Sequence, residues 1–288
     1  MIEYTSMKKI ILSLFAILTY TSTSAYAAES SWASSEQMQA KILSAHESIG
    51  SDQSTINAAL QTRLAPGWHS YWRNPGESGL PPKIVWDNSE NIEDITMHFP
   101  APKRFQELDL TTFGYDGDVM YPLDITLKQA GKDAVLDITL ETMVCKDICL
   151  PINLPLKLEL KSGEGADSKH RTIINYAREK IPDSVETPQL KIENVTITKD
   201  AVVTSITSKR GFARTDIFTE VGGFALGSDP QFQINENDRS RANAVVPISE
   251  DIQAEFDTSG AALPYKGHNI RVTVTDGRHA VEQIVELD

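Results

Sequence analysis

The sequence predicts a mainly β protein: two antiparallel β-sandwiches joined by a short linker carrying one helix. Three observations predict it. Apolar and polar residues alternate along most of the 288 residues, the period of a half-buried strand. Turn clusters (Asn74-Pro75-Gly76, Asp116-Gly117-Asp118, Gly131-Lys132-Asp133) separate these runs, where a parallel sheet would need crossover helices. One stretch, Asp167 to Ile181, has helical spacing instead and falls between two β regions.

The first element is a leader. Lys8 and Lys9 precede the apolar run Ile10 to Leu18, and small polar residues then lead to Ala25-Tyr26-Ala27, the small-x-small pattern that a signal peptidase accepts. Residues 1–27 are therefore expected to be a signal peptide, with Met7 a plausible initiator and the mature chain starting near Ala28. The run is shorter than the ~20 residues a spanning helix needs, and no later segment is apolar enough to cross a bilayer. Export would place the cysteines in an oxidising space, where disulfides persist.

Strands follow in order: Ile56, Ala58, Leu60 and Leu64; Leu123, Ile125 and Leu127; Leu136, Ile138, Leu140 and Val144; then Ile152 through Leu160 at every second residue. These assign residues 28–162 to a first β domain. Ser162-Gly163-Glu164-Gly165 breaks the alternation, and Ile173, Ile174, Ala177 and Ile181 then recur at helical spacing before Pro182 stops them, giving a linker and helix over 163–187. Alternation resumes at Leu190 and Ile192 and continues through Val202, Thr204 and Ile206 to Ile270, Val272 and Val274. Asp276-Gly277 marks a hairpin before Ala280 to Val285, so residues 188–288 form a second, smaller β domain.

The net charge of −13 becomes one unit more negative once the leader, with Glu3, Lys8 and Lys9, is removed. An acidic chain of this kind is a poor partner for nucleic acid or anionic lipid. Its only two cysteines lie in Val144-Cys145-Lys146-Asp147-Ile148-Cys149-Leu150-Pro151, three residues apart. If the flanking strands form a hairpin, Cys145 faces Cys149 across the ladder, within the range a disulfide allows. Core-facing residues on both strands are even-numbered and the cysteines odd, so both sulfurs are expected on the face away from the core, within reach of another protein. Such a short loop removes little unfolded-chain entropy, well below the ~3 kcal/mol of a 15-residue loop, which makes stability a poor reason for the bond.

The stretch Phe113-Gly114-Tyr115-Asp116-Gly117-Asp118-Val119-Met120-Tyr121-Pro122-Leu123, together with Val144 to Pro151 and the leucine-rich strand after it, resembles the N-terminal periplasmic domain of the thiol:disulfide interchange protein DsbD. Gly67-Trp68-His69-Ser70-Tyr71-Trp72-Arg73-Asn74-Pro75-Gly76-Glu77-Ser78-Gly79-Leu80-Pro81-Pro82 is similar to ScsB-type relatives. The resemblance runs from about Ile56 to Leu160 and implies an immunoglobulin-like sandwich. It implies that Cys145 and Cys149 are a redox pair taking electrons from a membrane-embedded thiol relay, through a thioredoxin-like donor, and passing them to oxidised periplasmic proteins. It further implies an aromatic cap over the sulfurs at Phe113, with Tyr115 beside it, and makes Cys149 the attacked sulfur and Cys145 the resolving one. The chain departs from the family in separating the cysteines by three residues rather than five, and in placing Thr111 and Thr112 where acidic residues precede the cap. The relay and the thioredoxin-like domain have no counterpart in the sequence, so the electron donor is expected to be a separate protein.

Trp68, His69, Tyr71 and Trp72 are candidate partner-docking residues, in a segment whose glycines and prolines also fit a shaped, packed loop. No cofactor or metal is expected: no cysteine–histidine spacing matches a known site type, which weighs against a copper(I) site of His69 and the two thiolates. Two functions remain open on the residues alone. One is thiol-disulfide exchange; the other is a non-enzymatic binding or assembly module with a stapling disulfide.

Overall fold

The computed structural model describes residues 28–107, 109–182, 189–227, 229–257 and 268–286. The expected signal peptide lies outside the described residues, as does part of the expected linker. In chain order the first unit contains β1 (Ala33–Ser34), β2 (Met38–Ser44), β3 (Thr55–Leu64), β4 (His69–Gly76), β5 (Lys83–Val85), β6 (Ile92–Met97), β7 (Lys103–Glu107), β8 (Leu110–Asp116), β9 (Asp118–Leu127), β10 (Ala134–Cys145) and β11 (Cys149–Leu160). They form two sheets, of order β1-β2-β3-β9-β6 and β11-β10-β4-β8-β7, with β5 paired to β10. The mainly β, immunoglobulin-like sandwich expected from the sequence is what these strands build.

The alternation explains why. On β10 and β11 the even-numbered residues Leu136, Ile138, Leu140, Ile152, Leu154 and Leu156 are buried against Ile42, Ile56, Leu60 and Leu123 of the facing sheet. Each such side chain contributes roughly 1.5–3 kcal/mol by leaving water. The β10–β11 ladder is unbroken from Ala134↔Leu160 to Cys145↔Cys149. Asp116-Gly117-Asp118 carries the chain from β8 in one sheet to β9 in the other. Asn74-Pro75-Gly76, expected as a turn, instead lies inside β4, where the register with β8 jumps between Tyr71↔Gly114 and Gly76↔Thr112. A bulge absorbs the proline that a regular ladder would exclude.

Helix α1 (Arg171–Arg178) is shorter than the expected 167–181. It buries Ile174 and Ala177, Ile174 packing on Leu43, Ala45 and Ala59, whereas Ile173 is 46% exposed rather than core-facing. The second unit contains β12 (Leu190–Ile197), β13 (Ala201–Ser208), β14 (Thr215–Val221), β15 (Phe224–Ala225), β16 (Gln231–Ile234), β17 (Arg241–Pro247), helix α2 (Glu250–Asp257), β18 (Asn269–Asp276) and β19 (His279–Glu286). Its sheets are β12-β13-β17-β16 and β15-β14-β18-β19, around Val202, Ile206, Val246, Ile270 and Val272. Asp276 pairs with His279 across Gly277, as the hairpin signal predicts. Helix α2 falls in a region where the sequence predicts strands alone.

The two sandwiches share a boundary that the alternation does not announce. Phe218 of β14 belongs to the first core, edge-on to Trp72 (centroids 5.6 Å apart) and Phe113 (4.9 Å). Around it Arg73 pairs with Glu220 and Glu282, and Arg104 with Asp216 at 2.8 Å. Arg104 also lies over the Phe113 ring.

Candidate active site

Cys145 ends β10, Cys149 begins β11, and the two are joined in a disulfide. Strand parity holds: Val144 points into the core and both sulfurs lie on the opposite face of the sheet. The expectation that both are reachable does not. Cys149 is exposed beside the 63%-exposed Ile148, but Cys145 is only 1% exposed. What buries it is β4, whose His69 is the register partner of Cys145. Tyr71, two residues further on the same face, places its hydroxyl 2.7 Å from Cys145 Sγ and 3.7 Å from Cys149 Sγ.

The rest of this outer face is polar yet buried. Strand β7 presents Phe105 and Glu107, and β8 presents Thr112 as the partner of Phe105. His69 Nε2 forms a very short contact with Glu107 Oε1. Thr112 Oγ1 donates to the same oxygen at 2.7 Å, and the Tyr71 hydroxyl donates to Glu107 Oε2 at 3.1 Å. Glu107 Oε2 is itself 4.0 Å from Cys149 Sγ. The His69 ring stacks on Phe105, with centroids 4.8 Å apart. Burial, then the Glu107 carboxylate, push the Tyr71 phenol well above its ordinary value, so it stays protonated and acts as a donor. The donor atoms of His69, Glu107 and Cys145 lie within 4.8 Å of one another.

Two glycines make the arrangement possible. At Gly114 a Cβ would sit 1.8 Å from the Ser70 carbonyl oxygen, so only glycine lets β8 lie this close to β4. Gly79, at φ +103, passes so near the Tyr71 ring that a Cβ would meet Cε1 at 2.2 Å. The backbone at Gly79 is therefore the lid on the tyrosine, and the tyrosine is the lid on the sulfur.

Phe113 and Tyr115, the expected cap, are on the other side of the sheet. Phe113 is clamped between Arg104 and Phe218, and Tyr115 packs on Tyr121 and donates its hydroxyl to the Pro100 carbonyl at 2.7 Å. The parity that sends Val144 inward sends both inward too, so Tyr71 covers the sulfurs instead. The docking surface expected of Trp68, His69, Tyr71 and Trp72 is likewise corrected. His69 and Tyr71 are buried in the site, Trp72 is buried in the core, and Trp68 is half-buried against that core. The sequence does not mark Glu107; its only signal is that Phe105 and Glu107 share parity beside Thr112.

Residues 39–159 match the family model described as "Thiol:disulfide interchange protein DsbD, N-terminal". The first sandwich is thus similar to the DsbD N-terminal family over most of its length. Beyond this DsbD-type sandwich, residues 180–288 match a domain of unknown function, DUF8393. The chain is similar in fold to the N-terminal periplasmic domain of ScsB from Proteus mirabilis, at 20% identity and a TM-score of 0.68, covering 91% of this chain and 98% of that one. A marsupial T cell receptor also aligns, at 8% identity over 88% of this chain and 99% of that one, but its TM-score of 0.24 carries no argument. No curated protein matches the chain. Among the described residues no helix is long and apolar enough to cross a membrane.

Proposed function

We propose that the chain is a periplasmic thiol-disulfide exchange protein that carries reducing equivalents through Cys145 and Cys149 from a thioredoxin-like donor or membrane thiol relay to oxidised periplasmic proteins. The observation that carries this reading is the asymmetry of the pair: Cys149 is exposed and Cys145 is buried under Tyr71. A stapling bond needs no such difference, whereas exchange needs one sulfur open to attack and one held back.

In the forward half-reaction a donor thiolate attacks Cys149 Sγ. The new bond joins donor to Cys149, and Cys145 leaves as a thiolate carrying the electron pair. The Tyr71 hydroxyl, held protonated and already 2.7 Å away, turns its one proton from Glu107 to that thiolate as it forms. The donor's second thiol then attacks its own sulfur, leaving an oxidised donor and a reduced pair. With a substrate the order reverses. Cys149 thiolate attacks the substrate disulfide, Cys145 thiolate attacks Cys149 Sγ, and the reduced substrate departs. Glu107, 4.0 Å from Cys149 Sγ, is placed to accept the thiol proton.

Replacement of the resolving sulfur tests this. Cys145→Ser should accumulate an intermolecular disulfide through Cys149 in the periplasm, and Cys149→Ser should accumulate much less. If neither variant traps a partner and reduction of the wild type costs several kcal/mol of stability, the bond is a staple and the reading fails.

A further inference from the structure

We propose that the reduced site binds one Zn2+ ion through Cys145 Sγ, Cys149 Sγ, His69 Nε2 and the Glu107 carboxylate. This goes beyond exchange and requires only that the disulfide can be reduced. The donor atoms of His69, Glu107 and Cys145 already lie within 4.8 Å of one another, and Glu107 Oε2 lies 4.0 Å from Cys149 Sγ. Donors of a tetrahedral zinc site, at about 2.0–2.3 Å from the metal, are about 3.3–3.8 Å apart. Reduction frees the two sulfurs to separate toward the metal, and the Tyr71 hydroxyl, 2.7 Å from Cys145 Sγ and 3.1 Å from Glu107 Oε2, stands among the donors and must give way to it.

The donor set selects the ion. Two thiolates, one imidazole and one carboxylate suit a borderline-soft cation with tetrahedral preference, whereas calcium and magnesium require oxygen shells. The set is also pre-oriented. Stacking on Phe105 fixes the imidazole plane with Nε2 toward the cluster, and Tyr71 and Thr112 hydrogen-bond the carboxylate, the outer contacts that orient metal ligands. His69 and Glu107 side chains are 9% and 11% exposed, so these are not surface groups that happen to be near each other. Two of these donors come from β4 and β7, distant in sequence from the cysteines, so no cysteine–histidine spacing marks the set.

The steps balance. A dithiol gives two electrons and two protons to the disulfide and becomes a disulfide itself. Zn2+ then displaces the two thiol protons to solvent without changing oxidation state. Because two sulfurs bonded to each other cannot present two thiolates, zinc and the disulfide exclude one another. Zinc therefore withdraws the reduced pair from exchange.

The test uses the full mature chain, reduced and freed of reductant under anaerobic conditions, titrated with ZnCl2 against a chromophoric chelator. One equivalent should bind to the reduced protein and none to the oxidised protein. His69→Ala and Glu107→Gln should each weaken binding about 10–100-fold. With Co2+ as probe, the wild type should give tetrahedral visible bands together with thiolate charge transfer, a spectrum that needs no variant to fold. Absence of stoichiometric binding overturns the proposal. Unchanged affinity in both variants, the behaviour of a bare dithiol, overturns it too. Partner trapping by Cys145→Ser is a separate readout, so loss of the metal site and loss of the exchange reading are distinguishable.

Discussion

At the scale of the residue, the reactivity of the pair is set by what lies over Cys145. Tyr71 shields it by contact, and the Gly79 backbone holds Tyr71 down. Gly79→Ala forces a methyl into the tyrosine ring from a backbone that L-residues rarely adopt, at a cost of about 1–3 kcal/mol. Its disulfide should be reduced faster by dithiothreitol than that of the wild type, read by thiol labelling over time. An unchanged reduction rate in a folded variant would show that Tyr71 is no shield. Tyr71→Phe keeps the ring but removes the hydroxyl, leaving Glu107 short of a donor; it should lower the unfolding free energy by about 1–2 kcal/mol in urea titrations.

At the scale of the element, the site depends on how closely β4 and β8 can lie. Gly114→Ala places a methyl against the Ser70 carbonyl, and separating the two strands should cost about 3 kcal/mol, measured by chemical denaturation. A second device ties the chain's first described residues to the start of α1. Hydrogen bonds from Lys169 and then Lys41 hold the Glu29 carboxyl at about 2, against an ordinary 4.5. Since the folded value is the lower one, this contribution is complete above about pH 4.5 and disappears as pH falls toward 2. Partial exposure limits it to about 1 kcal/mol. Glu29→Gln should therefore flatten the acid limb of stability between pH 4.5 and 2 while changing little at neutral pH beyond that constant loss. The elements themselves were largely legible. Leu136, Ile138, Leu140 and the leucines of β11 alternate without interruption, and that parity alone put the cysteines on the outer face. Tyr71 was not legible as their cover, because β4 runs through Asn74-Pro75-Gly76, which reads as a turn. Nor was Glu107, because in the charged sequence Lys103 to Glu107 alternation has too little apolar contrast to show which side faces in.

At the scale of the whole molecule, the second sandwich lends a buried residue, Phe218, to the first one's core. Phe218 reads in sequence as an ordinary apolar residue of its own strand, and only the packed structure reveals that it fills the space between Trp72 and Phe113. Phe218→Ala should cost about 3–5 kcal/mol. The loss should appear in the DsbD-type sandwich as well as in the second one, seen as a joint downward shift of both transitions in calorimetry. A loss confined to the second sandwich would show that the insertion carries no energy. Trp72 immediately follows Tyr71 and Arg104 immediately precedes Phe105, so each adjoins a residue that builds the site. The aromatic and arginine contacts of the interface thus brace the far side of the strands that hold His69, Tyr71 and Glu107.

The two cysteines are the last register pair of the β10–β11 ladder, which stays hydrogen-bonded along its whole length behind them. Breaking the sulfur–sulfur bond releases neither strand, so Cys145 remains beside Cys149 at a very high effective concentration, of the kind that makes well-oriented intramolecular reactions outpace their bimolecular equivalents by orders of magnitude. Any adduct formed on Cys149 is then short-lived, because its competitor never diffuses away. In the proposed exchange the ladder acts as a timer on the mixed disulfide, and the encounter with a partner becomes visible only when Cys145 is removed.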